Sequence, residues 1–386
     1  MPPAQFGMVS YVLVVFLFVA FIVDSILGSP ITYEEHRSGT TLKLRRGTLI
    51  VATLSTILAA YSLIVPLVLV LSPSIGTAVE SLGGAHIVLL AIASYCLALF
   101  AFEQLRRTSY ANDQPARLLV ASGLRFAGIG CAAFAVRAGW VSLGFGDTFT
   151  IATVLLLAAA GMLLWRMISS GQLVWRPRGI TSQRIYLTRI FKVYAANAGS
   201  LMAFASLELL LLSGMIWHGD AEAVGRFRGL QIAILVVNLL VVATENANAG
   251  RHMVAASVAG QRFWKSVYFL MAGGSVLVVG FLLVGQPIVA FLLGPGLVPT
   301  SFEIGCGAIL LFVNIVRAPF AILLRFSRQF NFVFWVYVGS AVLEFVVLAL
   351  LFSAGLRAWV LAALVLAHVA SSIAIGCKGF PLLPKT

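Results

Sequence analysis

Charged residues are scarce in this chain of 386 residues: they make up 10% of it, against 61% hydrophobic residues, and the mean hydropathy is +1.03. Soluble domains carry roughly 25% charged residues, so too few polar groups are present to cover so apolar a chain in water. Lipid is therefore the expected solvent. A bilayer admits only helices and closed barrels, because every backbone N–H and C=O must be paired internally. The apolar runs continue for about 20 residues without the alternation of barrel strands, which predicts helices.

Cysteine is rare as well, and motifs that hold metals or perform catalysis are missing. The cysteines lie within or beside apolar segments without CxxC spacing, so they indicate small core residues rather than a metal site or a disulfide framework. They are Cys96, Cys131, Cys306 and Cys377. No DxD or HxxxxD motif and no metal-ligand cluster occurs. We therefore expect a protein that is not an enzyme and that needs no metal and no cofactor.

The apolar runs predict an all-α protein that crosses the membrane about eleven times. The expected spans are 8–28, 48–72, 85–102, 118–138, 148–168, 194–217, 226–248, 266–285, 303–324, 332–354 and 358–377. Most of the 26 basic residues lie in the loops after odd-numbered spans and in the tail, which marks the cytoplasmic side. This places the C-terminus in the cytoplasm and residue 1 on the outer side of the cell (inner or plasma) membrane. Because the net charge of +13 is spread over these loops, we expect no nucleic acid partner.

A weak internal repeat divides the spans into two groups. The segment AQFGMVSYVLVVF (4–16) resembles EAVGRFRGLQIAI (222–234), which aligns Gly7 with Gly225, and VLSPSIG (70–76) resembles FLLGPGL (291–297). Spans 1–5 then match spans 7–11, and span 6 has no partner. We predict two bundles of five and six helices over 1–170 and 194–386, joined by a basic cytoplasmic linker over 171–193. A helix ahead of residue 1 would complete a twelve-helix fold with two similar lobes.

The same segments are similar to parts of polysaccharide flippases. AQFGMVSY (4–11) and EAVGRFRG (222–229) resemble the start of the second helix in many of these proteins. LLGPGLVPTSFEIG (292–305) resembles their short re-entry between the eighth and ninth spans, and NIVRAPFAILLRFSRQ (314–329) their helix-to-cytoplasm turn. The chain thus resembles the oligosaccharide flippase branch of the multidrug/oligosaccharidyl-lipid/polysaccharide exporter superfamily, but it lacks the first helix of that family. The resemblance implies a V-shaped pair of bundles, alternating access, and a polyprenyl-pyrophosphate-linked sugar as cargo.

Polar residues within the predicted spans supply the candidate site. A charge in lipid costs roughly 2.5–3.5 kcal/mol on insertion scales, so such residues usually face a cavity or a partner. In the seventh span the polar residues return to nearly the same helical face; they are Arg228, Gln231, Asn238 and Glu245. This stripe predicts a cavity wall that binds substrate or, alternatively, a set of interhelical hydrogen bonds.

The ninth and tenth spans carry a second group of polar residues. Asn314 and Arg317 share one face of the ninth span, and Tyr337, Ser340 and Glu344 share one face of the tenth. Because the two spans form a hairpin, Arg317 and Glu344 can approach each other as a structural ion pair. The alternative is that Arg317 binds an anionic head group, while Glu344 compensates charge or carries a proton.

Three further residues complete the set of candidates. Glu208 in the sixth span lies at the same expected depth as Arg228 on the next helix, so we predict that the two pair and that Glu208 compensates charge or binds an ion. Arg125 in the fourth span either lines the cavity or extends to the membrane surface. His368, in the middle of the eleventh span, is expected to be a hydrogen-bonded packing residue.

The leading hypothesis is a flippase that moves a lipid-linked oligosaccharide across the cytoplasmic membrane for surface polysaccharide biosynthesis. Its partners would be the glycan substrate, membrane lipids and polysaccharide polymerases. Arg228, Arg317 and Arg125 suit a pyrophosphate because a guanidinium binds two oxygens at once. The alternatives are a cation-coupled drug or small-molecule efflux antiporter of the same superfamily, a membrane-embedded glycan-processing enzyme and a structural role.

Overall fold

A computed structural model of the chain describes residues 3–23, 62, 85–111, 145–169, 180–231, 234, 259–327 and 329–380, together with scattered positions between 120 and 139. These residues form helices and short turns, and they include no strand, which confirms the predicted all-α class. The helices are α1 (Pro3–Val23), α2 (Ala85–Ala111), α3 (Phe145–Ser169), α4 (Ile180–Trp217), α5 (221–231), α6 (Ala259–Leu293), α7 (Ser301–Phe326), α8 (Phe330–Ser353) and α9 (Val360–Gly379).

Seven of these described helices are long and apolar enough to cross a bilayer. The membrane-length segments are Pro3–Ile22, Gly146–Arg166, Ala195–Trp217, Met271–Phe291, Ser301–Ala321, Phe330–Ser353 and Arg357–Gly379, and a shorter apolar segment runs over Ile87–Glu103. Large apolar side chains on them face outward, as in Leu283 and Val276, which is the arrangement that lipid favours. The chain is therefore a polytopic helical membrane protein. The predicted second, fourth and seventh spans lie wholly or largely outside the described residues.

The chain divides into two compact units. One unit comprises Met1–Tyr11 and Gly199–Thr386, and the other comprises Val12–Ala198. Residues 180–193, predicted as linker, are helical and form the first part of α4, which has 38 residues. At a rise of about 1.5 Å per residue, such a helix is far longer than the roughly 30 Å hydrocarbon core.

In the unit Val12–Ala198, helices α2 and α3 pack against each other along their length. Their shared core contains Phe102, Leu156 and Leu163, all almost fully buried. Tyr95 meets the ring of Phe149 edge-on, with centroids 5.4 Å apart. Side chains at i and i+3 or i+4 spacing supply this contact face, as expected for an apolar stripe on each helix.

In the unit that contains Gly199–Thr386, α9 packs against both α7 and α8, and α7 packs against α6. One core cluster joins three of these helices: Phe320 and Leu324 come from α7, Val333 and Tyr337 from α8, and Ile375 from α9. The fixed orientation of α7 and α9 positions the polar residues described below.

The two glycines that the internal repeat aligns are in contact with each other. The backbones cross so closely that a Cβ added to Gly7 would lie 1.7 Å from the oxygen of Ala221, and one added to Gly225 would lie 2.6 Å from the oxygen of Pro3. The contact is reciprocal, because Pro3 and Ala221 are separated by the same 218 positions as Gly7 and Gly225. The two segments therefore make equivalent contacts with each other at this crossing.

Candidate functional site

A cavity of about 320 Å³ lies within the unit that contains Gly199–Thr386. Helices α4, α5, α7 and α9 contribute its walls. The lining residues are Phe204, Ala205, Glu208, Phe227, Arg228, Gln231, Ile234, Leu310, Asn314, Leu364 and His368. Each helix presents residues three or four positions apart, the spacing that keeps side chains on one helical face. The wall is thus a mixture of aromatic and aliphatic surface with a few polar groups, as in typical ligand sites.

The turn between α4 and α5 brings Glu208 and Arg228 to the same depth. Gly219 takes a positive φ of 76° at this turn, and the carboxylate of Asp220 accepts from the backbone N–H of Ala223, which caps the start of α5. Glu208 and Arg228 lie ten positions before and after His218. The chain therefore folds back as a hairpin that places these two side chains opposite each other.

Arg228 is the centre of one polar wall of the cavity. Its Nη1 donates to Oε1 of Glu208 at 2.5 Å and also to Oε1 of Gln231. The side chains of Arg228 and Glu208 are 18% and 34% exposed, so the ion pair is neither fully buried nor fully solvated. The pairing predicted from helix depth is confirmed by this contact.

Arg317 is the centre of a second polar cluster, which contacts the cavity-lining residues Asn314, His368 and Phe204. Its Nη2 donates to Oδ1 of Asn314 at 2.6 Å, and its Nη1 contacts Nδ1 of His368 at 3.1 Å and the hydroxyl of Ser371 at 3.5 Å. The guanidinium carbon also lies 4.3 Å from the centroid of the Phe204 ring, a cation–π distance. Only 6% of Arg317 is exposed. The residue therefore holds the wall in position rather than lining it.

These hydrogen bonds fix which atoms are left to face a ligand. A guanidinium can only donate, so Nδ1 of His368 accepts from Arg317 and Nε2 of His368 carries the ring proton. The amide oxygens of Asn314 and Gln231 are likewise occupied by arginines, which leaves their NH₂ groups as donors. Nε and Nη2 of Arg228 donate to no atom of the described residues. Each of these four residues therefore has at least one donor hydrogen left for a ligand.

The structure brings together part of the predicted site. Four predicted residues line the same cavity: Glu208, Arg228, Gln231 and Asn314. Arg317 contacts this group from behind, and Arg125, Asn238 and Glu245 lie outside the described residues. The binding roles of all these residues stay predictions. His368 lines the cavity, although its sequence position predicted only a packing role, because nothing in its position along α9 indicates which neighbours it faces.

Of the two predictions made for Arg317 and Glu344, the structural ion pair is wrong, and the roles in binding and charge compensation stay predictions. Glu344 is completely buried on α8, and both of its carboxylate oxygens lack a hydrogen-bond partner among the described residues. Arg317 is directed instead toward Asn314 and His368. Depth explains the difference: Arg317 lies beside the ring of Tyr337, 5.6 Å from its centroid, whereas Glu344 lies seven positions, about two turns, farther along the same buried face of α8. No group of His, Cys, Asp or Glu within the described part of the chain could hold a metal ion.

Comparison with known proteins identifies the fold. No protein-family model and no curated protein sequence matches the chain. Solved structures do match: an outward-facing multidrug resistance MATE family transporter of the MOP superfamily is 14% identical, with a TM-score of 0.60 over 99% of this chain and 93% of that one. The inward-facing form gives 15% identity and a TM-score of 0.57, covering 99% and 91% of the chains. A MATE mutant is 12% identical, with a TM-score of 0.63 over 98% of this chain and 88% of that one. The chain therefore has the fold of MATE transporters of the MOP superfamily.

Proposed function

We propose that this protein is a membrane transporter that moves a lipid-linked oligosaccharide with an anionic pyrophosphate across the cytoplasmic membrane by alternating access. The orientation of the cavity's polar groups carries this proposal. Donor hydrogens of Arg228, Gln231, Asn314 and His368 are left for a ligand, and phosphate and sugar oxygens are acceptors.

Arg228 is the principal anion contact in this proposal. Its Nε and Nη2 form the edge of the guanidinium that matches two phosphate oxygens. Phe204 and Phe227 supply apolar surface beside it, which suits a sugar ring or the first part of a lipid chain. The volume of about 320 Å³ lies at the lower end of the range of roughly 300–1,000 Å³ for ligand pockets. It fits a pyrophosphate and an adjoining group rather than a whole glycan.

A binding experiment tests the anion contact. The protein in lipid nanodiscs is titrated with farnesyl pyrophosphate and with farnesol, which share the apolar chain but differ in the head group. We expect the pyrophosphate to bind more tightly, and Arg228→Gln to weaken its binding about 10–100-fold, because a hydrogen bond to a charged group contributes roughly 1.5–3 kcal/mol. Equal affinity of the wild type for both probes would contradict the proposal.

Arg357→Gln is the matched control for this experiment. Arg357 is an exposed arginine of the same unit that contacts the backbone oxygen of His218, away from the cavity lining. Its replacement removes the same charge and should leave pyrophosphate affinity unchanged. In cells, Arg228→Gln should abolish export of surface polysaccharide at a normal protein level, and Arg357→Gln should not.

Efflux of a cationic drug is a second candidate, favoured by two observations. Glu208 places a carboxylate in the cavity wall, and the similar solved structures are multidrug resistance transporters. In that case Glu208→Gln should abolish binding of tetraphenylphosphonium, a lipophilic cation, whereas the lipid-linked anion proposal expects little binding of this probe by the wild type.

A further inference from the structure

Glu208 differs from the other polar groups of the cavity. Arg228, Gln231, Asn314 and His368 each have a donor hydrogen left for a ligand, whereas an ionised carboxylate can only accept. A negative charge beside an anion site repels the anion and neutralises the arginine that would bind it. The position of Glu208 therefore needs an explanation that a simple anion pocket does not supply.

The geometry of the ion pair provides one. Glu208 lies on α4 and Arg228 on α5, and the 2.5 Å contact between them ties the two helices together at the depth of the cavity. With 34% of its side chain exposed, Glu208 has space to turn away from the arginine. Gln231 holds the same Nη1 from α5 itself, three positions along the helix, and so keeps the guanidinium in place if Glu208 leaves.

We propose that Glu208 is an internal competitor for the anionic ligand. In the empty cavity its carboxylate occupies Arg228, and an entering pyrophosphate takes the guanidinium over from it. The exchange releases the tie between α4 and α5, so occupation of the site and loosening of this helix pair occur together. The inference rests on the proposed anion-binding function and adds a residue that sets the affinity and couples binding to a structural change.

The competitor is tested by removing its charge. Glu208→Gln keeps the shape of the side chain and should bind farnesyl pyrophosphate about tenfold more tightly than the wild type, which corresponds to ~1.4 kcal/mol. Glu208→Ala removes the carboxylate without putting an amide in its place, and it should change the affinity in the same direction. Combining Glu208→Gln with Arg228→Gln should remove the gain, because the carboxylate acts through the arginine.

Glu222→Gln is the matched control. Glu222 pairs with Arg226 at 3.0 Å on α5, is 59% exposed and does not line the cavity, so its replacement should leave affinity unchanged. If the wild type binds the probe and Glu208→Gln binds it equally or less tightly, the competitor is refuted while the anion site stands. If neither protein distinguishes farnesyl pyrophosphate from farnesol, both the site and the competitor are refuted.

Discussion

The crossing of α1 and α5 at Gly7 allows a sharp test of the packing. An added Cβ at Gly7 would lie 1.7 Å from the oxygen of Ala221, and ordinary van der Waals contacts begin at 3.4 Å. The two backbones would have to separate by about the difference between these distances. Because the obstructing atoms belong to the backbone, no side-chain rotation can relieve the clash. We expect Gly7→Ala to destabilise the unit by at least the ~3 kcal/mol at the upper end of overpacking costs.

Gly305 supplies the control for this substitution. It lies inside α7, where an added Cβ would meet nothing within 4 Å. Alanine there should stabilise the helix by roughly 0.5–1 kcal/mol, because glycine loses more backbone entropy on folding. Gly225→Ala should fall between the two, since its Cβ would lie 2.6 Å from the oxygen of Pro3. The expected order of stability is therefore Gly305→Ala, then Gly225→Ala, then Gly7→Ala.

The measurement is the apparent melting temperature of each purified variant in the same detergent. With about 2–4 °C per kcal/mol for domains of 150–250 residues, Gly7→Ala should melt roughly 6–12 °C below the wild type. A melting temperature for Gly7→Ala that matches that of Gly305→Ala would refute the reasoning, because the backbones could not then be in contact at this crossing.

Two further predictions concern buried polar groups. Arg317→Lys should weaken binding of farnesyl pyrophosphate and lower the melting temperature, because one ammonium cannot hold both Asn314 and His368 in the directions set by the two Nη nitrogens. If Arg317→Lys binds farnesyl pyrophosphate as tightly as the wild type, the orientation of Asn314 and His368 does not matter for binding. Glu344→Met should raise stability by about 1–3 kcal/mol, since it replaces carboxylate oxygens that lack a partner among the described residues by an apolar group of similar length. A lower melting temperature, or lost transport at normal stability, would instead assign Glu344 a partner or a role in transport.

Several features of the site could be predicted from the sequence because they depend on local geometry. Arg228 and Gln231 contact one another, as do Asn314 and Arg317, because residues three apart on a helix share a face. The pairing of Glu208 with Arg228 could be predicted because the turn between their helices is short. Residues equally far from such a turn lie at the same depth.

Other features required neighbours that lie far apart in the chain. His368 reaches Arg317 across 51 positions, and the periodicity of α9 indicates which residues share a face but not which helix that face meets. Only the packed hairpin showed that Tyr337 lies beside Arg317, with its ring centroid 5.6 Å from the guanidinium carbon, while Glu344 lies seven positions farther along the same buried face of α8.

The sequence by itself determined that the protein is an all-α membrane protein, because its apolar runs are long enough to cross a bilayer and its few charges cannot cover them in water. It also aligned Gly7 with Gly225. Only the tertiary structure decided that these glycines touch and that four helices line one cavity, in which Glu208 and Arg228 contact each other. Helical periodicity is set within a few residues, whereas the rotation of each helix and its choice of neighbours follow from packing over the whole unit.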